Sequence, residues 1–385
     1  MPAKLSTPVI RETPCLMLDV ARLDANIRRM KDHLARFDVT LRPHVKTNKS
    51  IAVSERFFDG GERPITVSTL HEAEHFFRAG FTDILYGVGI APNKFERVKD
   101  LIQAGAGLKL ILDNTETADL LCRFAASNKL PMDILLEIDS DGHRSGLRPC
   151  APEIEDIARR LRNSYVTIRG VMTHAGNSYN SASRGEITRY ARLERDAVVS
   201  SAAMLDSLGV DAAIVSVGST PTALYSDDMT GVTEVRAGVF AFFDLFMHGL
   251  GVCSLDEIAL TVVTTVIGHQ KEKGWIITDA GWMGLSRDRG TSGQRRDQGY
   301  GLVCRMDGTP FDDLIVIGAN QEHGIVGTRN EADAGCAPLV PIGTQLRILP
   351  NHACATAAQY GGYHLVGHGG DASAYWPRIN GWTQV

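Results

Sequence analysis

What the chain lacks narrows its identity first. No apolar stretch among its 385 residues reaches the roughly 18 that a membrane-spanning helix needs. Met1 to Thr7 carries no apolar core of the secretory type. The seven cysteines are odd in number and widely scattered, which speaks against a disulfide framework. A cytoplasmic protein is therefore expected. No basic run stands out, and a formal net charge of −5 offers nothing to a nucleic-acid backbone. Low-complexity segments are missing, as are repeats of about 20–50 residues, so a solenoid is excluded. What remains is ordinary for a soluble globular protein, with 44% hydrophobic and 22% charged residues. The length exceeds the usual single-core limit, and two domains are expected.

From residue 41 to 237, short β-like runs alternate with helical patterns. The runs fall at 41–45, 65–68, 83–86, 108–112, 133–138, 166–173, 214–217 and 234–237. Helical patterns such as 70–79, 95–104, 115–126, 153–162 and 184–208 lie between them. Eight strands with seven intervening helices imply parallel βαβ units and match a (β/α)8 barrel. A doubly wound open sheet is the alternative, and the missing G-x-G-x-x-G after the first strand counts against it. After about residue 250 the texture changes. Strand candidates at 258–269, 275–279, 313–317, 345–349 and 363–366 are joined by Gly-, Asp- and Asn-rich links. The expectation is an α/β barrel over 20–250 followed by a mostly antiparallel β domain over 251–385. An early run at 14–18 can serve either domain; residues 1–19 are grouped with the second.

Barrels keep their chemistry at the C-terminal ends of their strands. The first run, Leu41 to Val45, ends in Lys46 within a polar turn. A lysine held there, partly desolvated, has a lowered pKa and an amine available for a Schiff base. Lys49, three residues on, reads as an ordinary charge at a helix start. The seventh run ends in Val217-Gly218-Ser219-Thr220-Pro221-Thr222. Glycine lets backbone N–H groups approach an anion and the hydroxyls add donors, so this is either a phosphate cradle or a plain turn. Arg236, after the eighth run, can complete it. A phosphate site beside a Schiff-base lysine points to pyridoxal phosphate. Arg144, in the charged turn from Asp139 to Gly146, can face such a cofactor. His174 can stack on its ring or be a satisfied strand-end histidine, and Tyr179 can reach in from the same loop.

Pro350-Asn351-His352-Ala353-Cys354 is a second constellation. If extended, it projects His352 and Cys354 to one side. Imidazole and thiolate together suit Zn²⁺, with Mn²⁺ or Co²⁺ as further options. The other reading is a buried cysteine beside a hydrogen-bonded histidine. His323, in Gln321-Glu322-His323-Gly324, is either a catalytic base or a turn residue.

Together these stretches resemble the PLP-dependent D-threonine aldolase/D-serine dehydratase family, a metal-dependent branch of the alanine-racemase-like fold. The likeness rests on Arg42 to Thr47, Thr66 to Leu70, Glu137 to Gly146, Thr173 to Gly176, Val217 to Thr222, Asp279 to Met283, Ser286 to Thr291 and Pro350 to Thr356. Within the family it leans to the dehydratases, those of D-threo-3-hydroxyaspartate above all. Two departures stand out. Asn48 occupies a position where the family often has histidine, and Cys354 one where some aldolases have aspartate.

The resemblance implies that Lys46 is the Schiff-base lysine and that His352 and Cys354 hold the metal. It implies a homodimer, with each active site between one barrel and the partner's β domain. The expected reaction is loss of water and ammonia from a D-3-hydroxy amino acid such as D-threo-3-hydroxyaspartate or D-serine, giving a keto acid. Aldol cleavage to glycine and an aldehyde is the alternative, and a PLP racemase a further one. Arg287 and Arg289 either bind a substrate β-carboxylate bidentately or are solvated loop arginines.

Overall fold

Small polar residues start several of the helices. Thr69 accepts from the N–H of Glu72, Asn114 from Thr117, Ser183 from Glu186 and Ser219 from Thr222. Each such cap contributes about 1 kcal/mol. The computed structural model describes residues 10–330, 340–366 and 374–382, so Met1 to Thr7 lies outside the described residues. Strand β1 (Cys15–Asp19) and helix α1 (Val20–Ala35) open the described chain. There follow β2 (Thr40–Leu41), α2 (Ile51–Glu55), β3 (Ile65–Val67), α3 (Leu70–Arg78), β4 (Asp83–Gly89), α4 (Phe95–Gln103), β5 (Gly107–Leu112) and α5 (Thr115–Asn128). Next come β6 (Met132–Ile138), α6 (Pro152–Leu161), β7 (Val166–Thr173), α7 (Arg184–Ser207), β8 (Ile214–Val217), α8 (Thr220–Tyr225) and β9 (Glu234–Val235). Residues 28–238 form one unit; the described residues up to 27 and from 239 to 380 form another.

In the first unit the parallel order β2-β9-β8-β7-β6-β5-β4-β3 closes on itself. Closure is made by a bridge between His44 and Thr66. Thr66 N–H donates to Pro43 O at 3.0 Å, and Val45 N–H to Thr66 O at 2.9 Å. The eight strands and seven intervening helices are those expected, and the open doubly wound sheet is set aside.

The strands are buried on both faces, which is why they read as near-continuous apolar runs. Leu85, Ile111, Leu135 and Met172, one from each of β4 to β7, form a cluster with Ile214 of β8 against it. On β2 and β9 the same layer is ionic. Arg42 donates to Glu234 at 2.7 Å and to both oxygens of Asp83 at 2.9 Å. From β2, Asp83 lies beyond β3, so this contact crosses the barrel interior. Side chains alternate along a strand. Two residues past Met172, Ser216 and Glu234, the same face therefore presents His174, Gly218 and Arg236. Gly170, at φ +149°, is required by the packing of β7 on β8, because a Cβ there would sit 1.8 Å from Ile214 O.

The second unit continues with α9 (Leu245–Gly249), β10 (Leu260–Gln270), β11 (Trp275–Thr278), α10 (Trp282–Leu285), β12 (Leu302–Cys304), β13 (Pro310–Ala319) and β14 (Gly324–Thr328). It ends with β15 (Gln345–Leu349), α11 (Ala353–Ala357), β16 (Gly362–Val366) and β17 (Tyr375–Pro377). Strands β10-β11-β14-β13-β12-β15 close an antiparallel barrel, because β15 and β11 both pair with β10. The 11 residues of β10 make this possible: Val262–Thr265 pair with β15 and Val266–Gln270 with β11. Strand β1 pairs antiparallel with β10 and parallel with β16, so the early apolar run belongs to this sheet. Strands β12, β14 and β17 escaped the pattern reading. They are three to five residues long, too short for alternation to register. No helix among the described residues is long and apolar enough to cross a membrane.

Candidate active site

Beyond β2 the chain stays extended as far as the His44 bridge, then turns, and Lys46 is exposed in that turn. The turn around it is buried. Asn48 Oδ1 accepts from Ser50 N–H at 2.9 Å and Ser54 Oγ at 3.0 Å, which closes the loop ahead of α2. Lys49 is committed to structure: its Nζ lies 3.0 Å from the buried Glu72 carboxylate. Lys46 is the more exposed of the two, so the partial desolvation expected of it is not seen.

Around Lys46 stand histidines held neutral. Burial, then the charges of Lys46, Arg144 and Arg236, lower the His174 pKa to about 3, against the pull of the Gly218 carbonyl. His44 is pushed well below its ordinary value by burial, Lys46, Arg236 and His174. A carbonyl only accepts, so the His174 Nδ1 facing Gly218 O carries the hydrogen and Nε2 keeps its lone pair. Tyr179 lies beside it, with ring centroids 5.8 Å apart. Arg144 is exposed, and its charge reaches both His174 and Glu137.

The Gly218 loop is fastened from beneath. Glu194 of α7 is buried, and its Oε1 accepts from Ala175 N–H at 3.0 Å and Gly218 N–H at 3.1 Å. The Gly218 N–H is therefore already committed to Glu194, and the glycine itself lets the chain pack closely on Arg236. A Cβ there would stand 2.3 Å from Arg236 O. Ser219 and Thr220 are buried, and the Thr220 hydroxyl has no hydrogen-bond partner among the described residues. Arg236 is buried as well, donating to Ser216 Oγ at 2.8 Å and to Thr173 O.

In the second unit, His352 and Cys354 do come together, though by another geometry than expected. The segment is not extended: His352 is the N-cap of α11 and Cys354 lies in its first turn. Two turn-forming stretches converge to fix it. Asp244 accepts from Ala353 N–H at 2.9 Å. His352 Nδ1 donates to Asp288 Oδ2 at 2.7 Å, and Asp288 Oδ1 accepts from Gly290 N–H at 2.8 Å. Asn351 ties the same loops, donating to Asp288 O at 3.2 Å and Gly299 O at 2.7 Å. Burial alone would lower the His352 pKa. Hydrogen bonds to Asp288 and Cys354, backed by the charges of Cys354 and Asp244, raise it to about 11.

The neighbouring arginines diverge. Arg287 is exposed, with its guanidinium 4.9 Å from the Trp282 ring centre. Arg289 pairs with Asp297 at 2.7 Å and borders a cleft of about 560 Å³ shared with Trp275 and Arg329. His323 is exposed in the β13–β14 hairpin, where its carbonyl accepts from Asn320 N–H at 2.8 Å. Asp288, Asp244 and Glu194 escaped the sequence reading, since each acts through a contact far away in sequence. For Asp288 the one available signal was its place within the Ser286 to Thr291 stretch.

Comparison with known proteins extends over both units. Residues 18–245 match the model for the alanine racemase N-terminal domain, and 259–366 that for a putative serine dehydratase domain. The chain is 46% identical to D-threo-3-hydroxyaspartate dehydratase of Delftia sp. (strain HT23), over 96% of this chain and 98% of that one. A cysteine variant of a D-threo-3-hydroxyaspartate dehydratase, solved in a metal-free form, superposes with a TM-score of 0.94 at 45% identity, covering 96% of this chain and 98% of that chain. D-serine dehydratase of Dictyostelium discoideum is 30% identical over 92% of this chain and 93% of its own. D-threonine aldolase from Filomicrobium marinum, at 24% identity and covering 98% of each chain, shares the fold with a TM-score of 0.81. The chain thus belongs to the alanine racemase N-terminal domain family, in the branch that adds a serine dehydratase domain and includes the D-threo-3-hydroxyaspartate and D-serine dehydratases.

Proposed function

We propose that this protein is a pyridoxal-phosphate- and metal-dependent dehydratase of a D-3-hydroxy amino acid, D-threo-3-hydroxyaspartate or D-serine, releasing a keto acid and ammonia. The observation that carries the reading is the pairing of His352 and Cys354 under Asp288, in a chain 46% identical to such a dehydratase. Residues of the first unit fit a phosphate-bearing cofactor. A buried Thr220 hydroxyl unpartnered among the described residues and an exposed Lys46 among neutral histidines supply donor and amine. The second unit fits a divalent metal of borderline softness, Zn²⁺, Mn²⁺ or Co²⁺. Asp288 holds the Nδ1 hydrogen of His352, so Nε2 would be the metal donor beside the Cys354 sulfur once the ion displaces its proton. No group of three or more His, Cys, Asp or Glu among the described residues is placed to hold a metal. Two protein donors would leave positions open for a hydroxyl.

When bound, the cofactor supplies an electron sink for bonds at Cα and the metal a Lewis acid for the β-hydroxyl. Lys46 holds the cofactor and moves the proton at Cα. Thr220 and Arg236 would hold the phosphate end, in a loop that the Ser219 hydroxyl braces from within, while Tyr179, Arg144 and uncharged His174 would face the ring. His323 is assigned as an acid or base. Arg287, and more weakly the already paired Arg289, attract a distal carboxylate. We assign the protein to the cytoplasm as a homodimer.

Product analysis tests this. Protein loaded with pyridoxal phosphate and Mn²⁺ or Zn²⁺ is given D-threo-3-hydroxyaspartate, D-serine or D-threonine. Keto acid with equimolar ammonia, lost on chelation, is expected. Glycine with an aldehyde or glyoxylate would make the protein an aldolase, and interconversion of D- and L-substrate a racemase.

A further inference from the structure

Beneath the Gly218 loop lies a chain of four oxygen–oxygen contacts. Glu194 Oε2 is 2.7 Å from Thr222 Oγ1, and Thr222 Oγ1 is 2.8 Å from Ser219 Oγ. Ser219 Oγ is 2.9 Å from Ser178 Oγ, which is 2.7 Å from Ala175 O. Every contact needs one proton between its two oxygens. Three hydroxyls supply three protons, and the terminal carbonyl supplies none. An ionised Glu194 therefore leaves one contact as facing lone pairs, in a place where all of these side chains are buried.

A protonated Glu194 removes the deficit. Oε2–H donates to Thr222, Thr222 to Ser219, Ser219 to Ser178, and Ser178 to Ala175 O. The other oxygen behaves as a carbonyl with both lone pairs used, accepting from Ala175 N–H and Gly218 N–H. Ser219 Oγ stays within its capacity, since it also accepts Thr222 N–H at 3.2 Å. We infer that Glu194 is a neutral carboxylic acid at the head of this hydroxyl chain and, given the cofactor reading above, the positioning residue of its phosphate cradle. The fold places it well: one side chain joins the loop after β7, the loop after β8 and the start of α8. Burial pushes its pKa up, while the Thr222 hydroxyl, the two N–H groups and Arg236 pull the other way. A neutral acid also spares a bound phosphate a second buried negative charge nearby.

Infrared difference spectra of wild type against Glu194→Gln at pH 7 test the protonation state directly, whatever the protein binds. A protonated-carboxyl stretch present in wild type and missing in the variant is expected. If the difference shows a carboxylate pair instead, the inference is overturned.

The positioning role is tested by affinity. Glutamine puts a carbonyl and an NH2 group, with one N–H more than the acid's single O–H, in the same places, so Glu194→Gln is expected to hold pyridoxal phosphate within about threefold of wild type. Glu194→Ala, which strands two N–H groups and a hydroxyl, is expected to lose about tenfold or more. Affinity for phosphate-free pyridoxal should change by less than about threefold in both. Glutamine failing as badly as alanine, or equal losses on both ligands, would refute the positioning role. Wild type that binds neither ligand would overturn the cofactor reading and this role together, and leave the infrared result standing.

Discussion

His174 and His352 are the same residue under opposite instruction. His174 stands among cations, Lys46, Arg144 and Arg236, and burial with those charges brings it to about 3. His352 stands among acidic groups, Asp288, Cys354 and Asp244, and is raised to about 11. The parallel barrel has thus gathered positive charge at its strand ends and keeps its imidazoles neutral there. The antiparallel unit has gathered negative charge around one imidazole. On the function proposed above, the cationic mouth would suit an anionic cofactor and the anionic nest a metal cation.

The largest expected effect breaks the first half of this contrast. Lys46→Ala should reduce turnover by about a thousandfold or more and remove the visible absorbance of the loaded protein. Because Lys46 is exposed, its melting temperature should stay within about 2 °C of wild type. Lys49→Ala should behave inversely. It strands the buried Glu72 carboxylate and should cost about 3 kcal/mol in denaturant melts, with the absorbance kept in the folded fraction. Equal effects of the two on turnover would deny Lys46 its role.

The second half breaks at Asp288. Replacing it by alanine removes the acceptor that orients His352, so metal affinity should fall about 10- to 100-fold in competition with a chromogenic chelator. Cofactor absorbance should be unchanged. Unaltered metal affinity would mean that His352 needs no such partner.

A smaller effect separates the arginines. Arg287→Ala should lower kcat/KM for D-threo-3-hydroxyaspartate about tenfold relative to D-serine. Arg289→Ala should change that ratio less than threefold or so, since Asp297 already occupies its guanidinium. Equal losses on both substrates would remove Arg287 from substrate selection.

The barrel was legible because parallel strands announce themselves: runs such as Ile134 to Leu136 are apolar throughout and their spacing is regular. Lys46, Gly218 and Arg236 follow from that regularity, as strand ends can be read off once strands are placed. The antiparallel unit was less legible. Its short strands leave three or four residues of pattern, and α11 is a five-residue helix with no period to detect. His352 and Cys354 were found by residue type while the geometry offered for them was wrong. Partners acting at a distance, Asp288 64 residues from His352 and Glu194 24 from Gly218, leave no local trace. Such pairs exist only once the chain has closed.

The last test sharpens the contrast through pH. An unfolded histidine binds its proton near pH 6.5, whereas His174 in the fold does so only near 3. Between these values the unfolded state holds more protons, so stability must rise with pH there. The contribution is complete above about pH 6.5 and lost as the pH falls toward 3. Its slope approaches about 1.4 kcal/mol per pH unit for one site. His44, also held well below its ordinary value, acts in the same direction. Urea unfolding of wild type and His174→Gln between pH 3.5 and 6.5, at equal cofactor loading, measures the difference. The variant should show the shallower slope by up to that amount. Parallel curves would mean that His174 takes up its proton at the same pH in the folded and unfolded states, so that burial and the neighbouring cations do not hold it neutral.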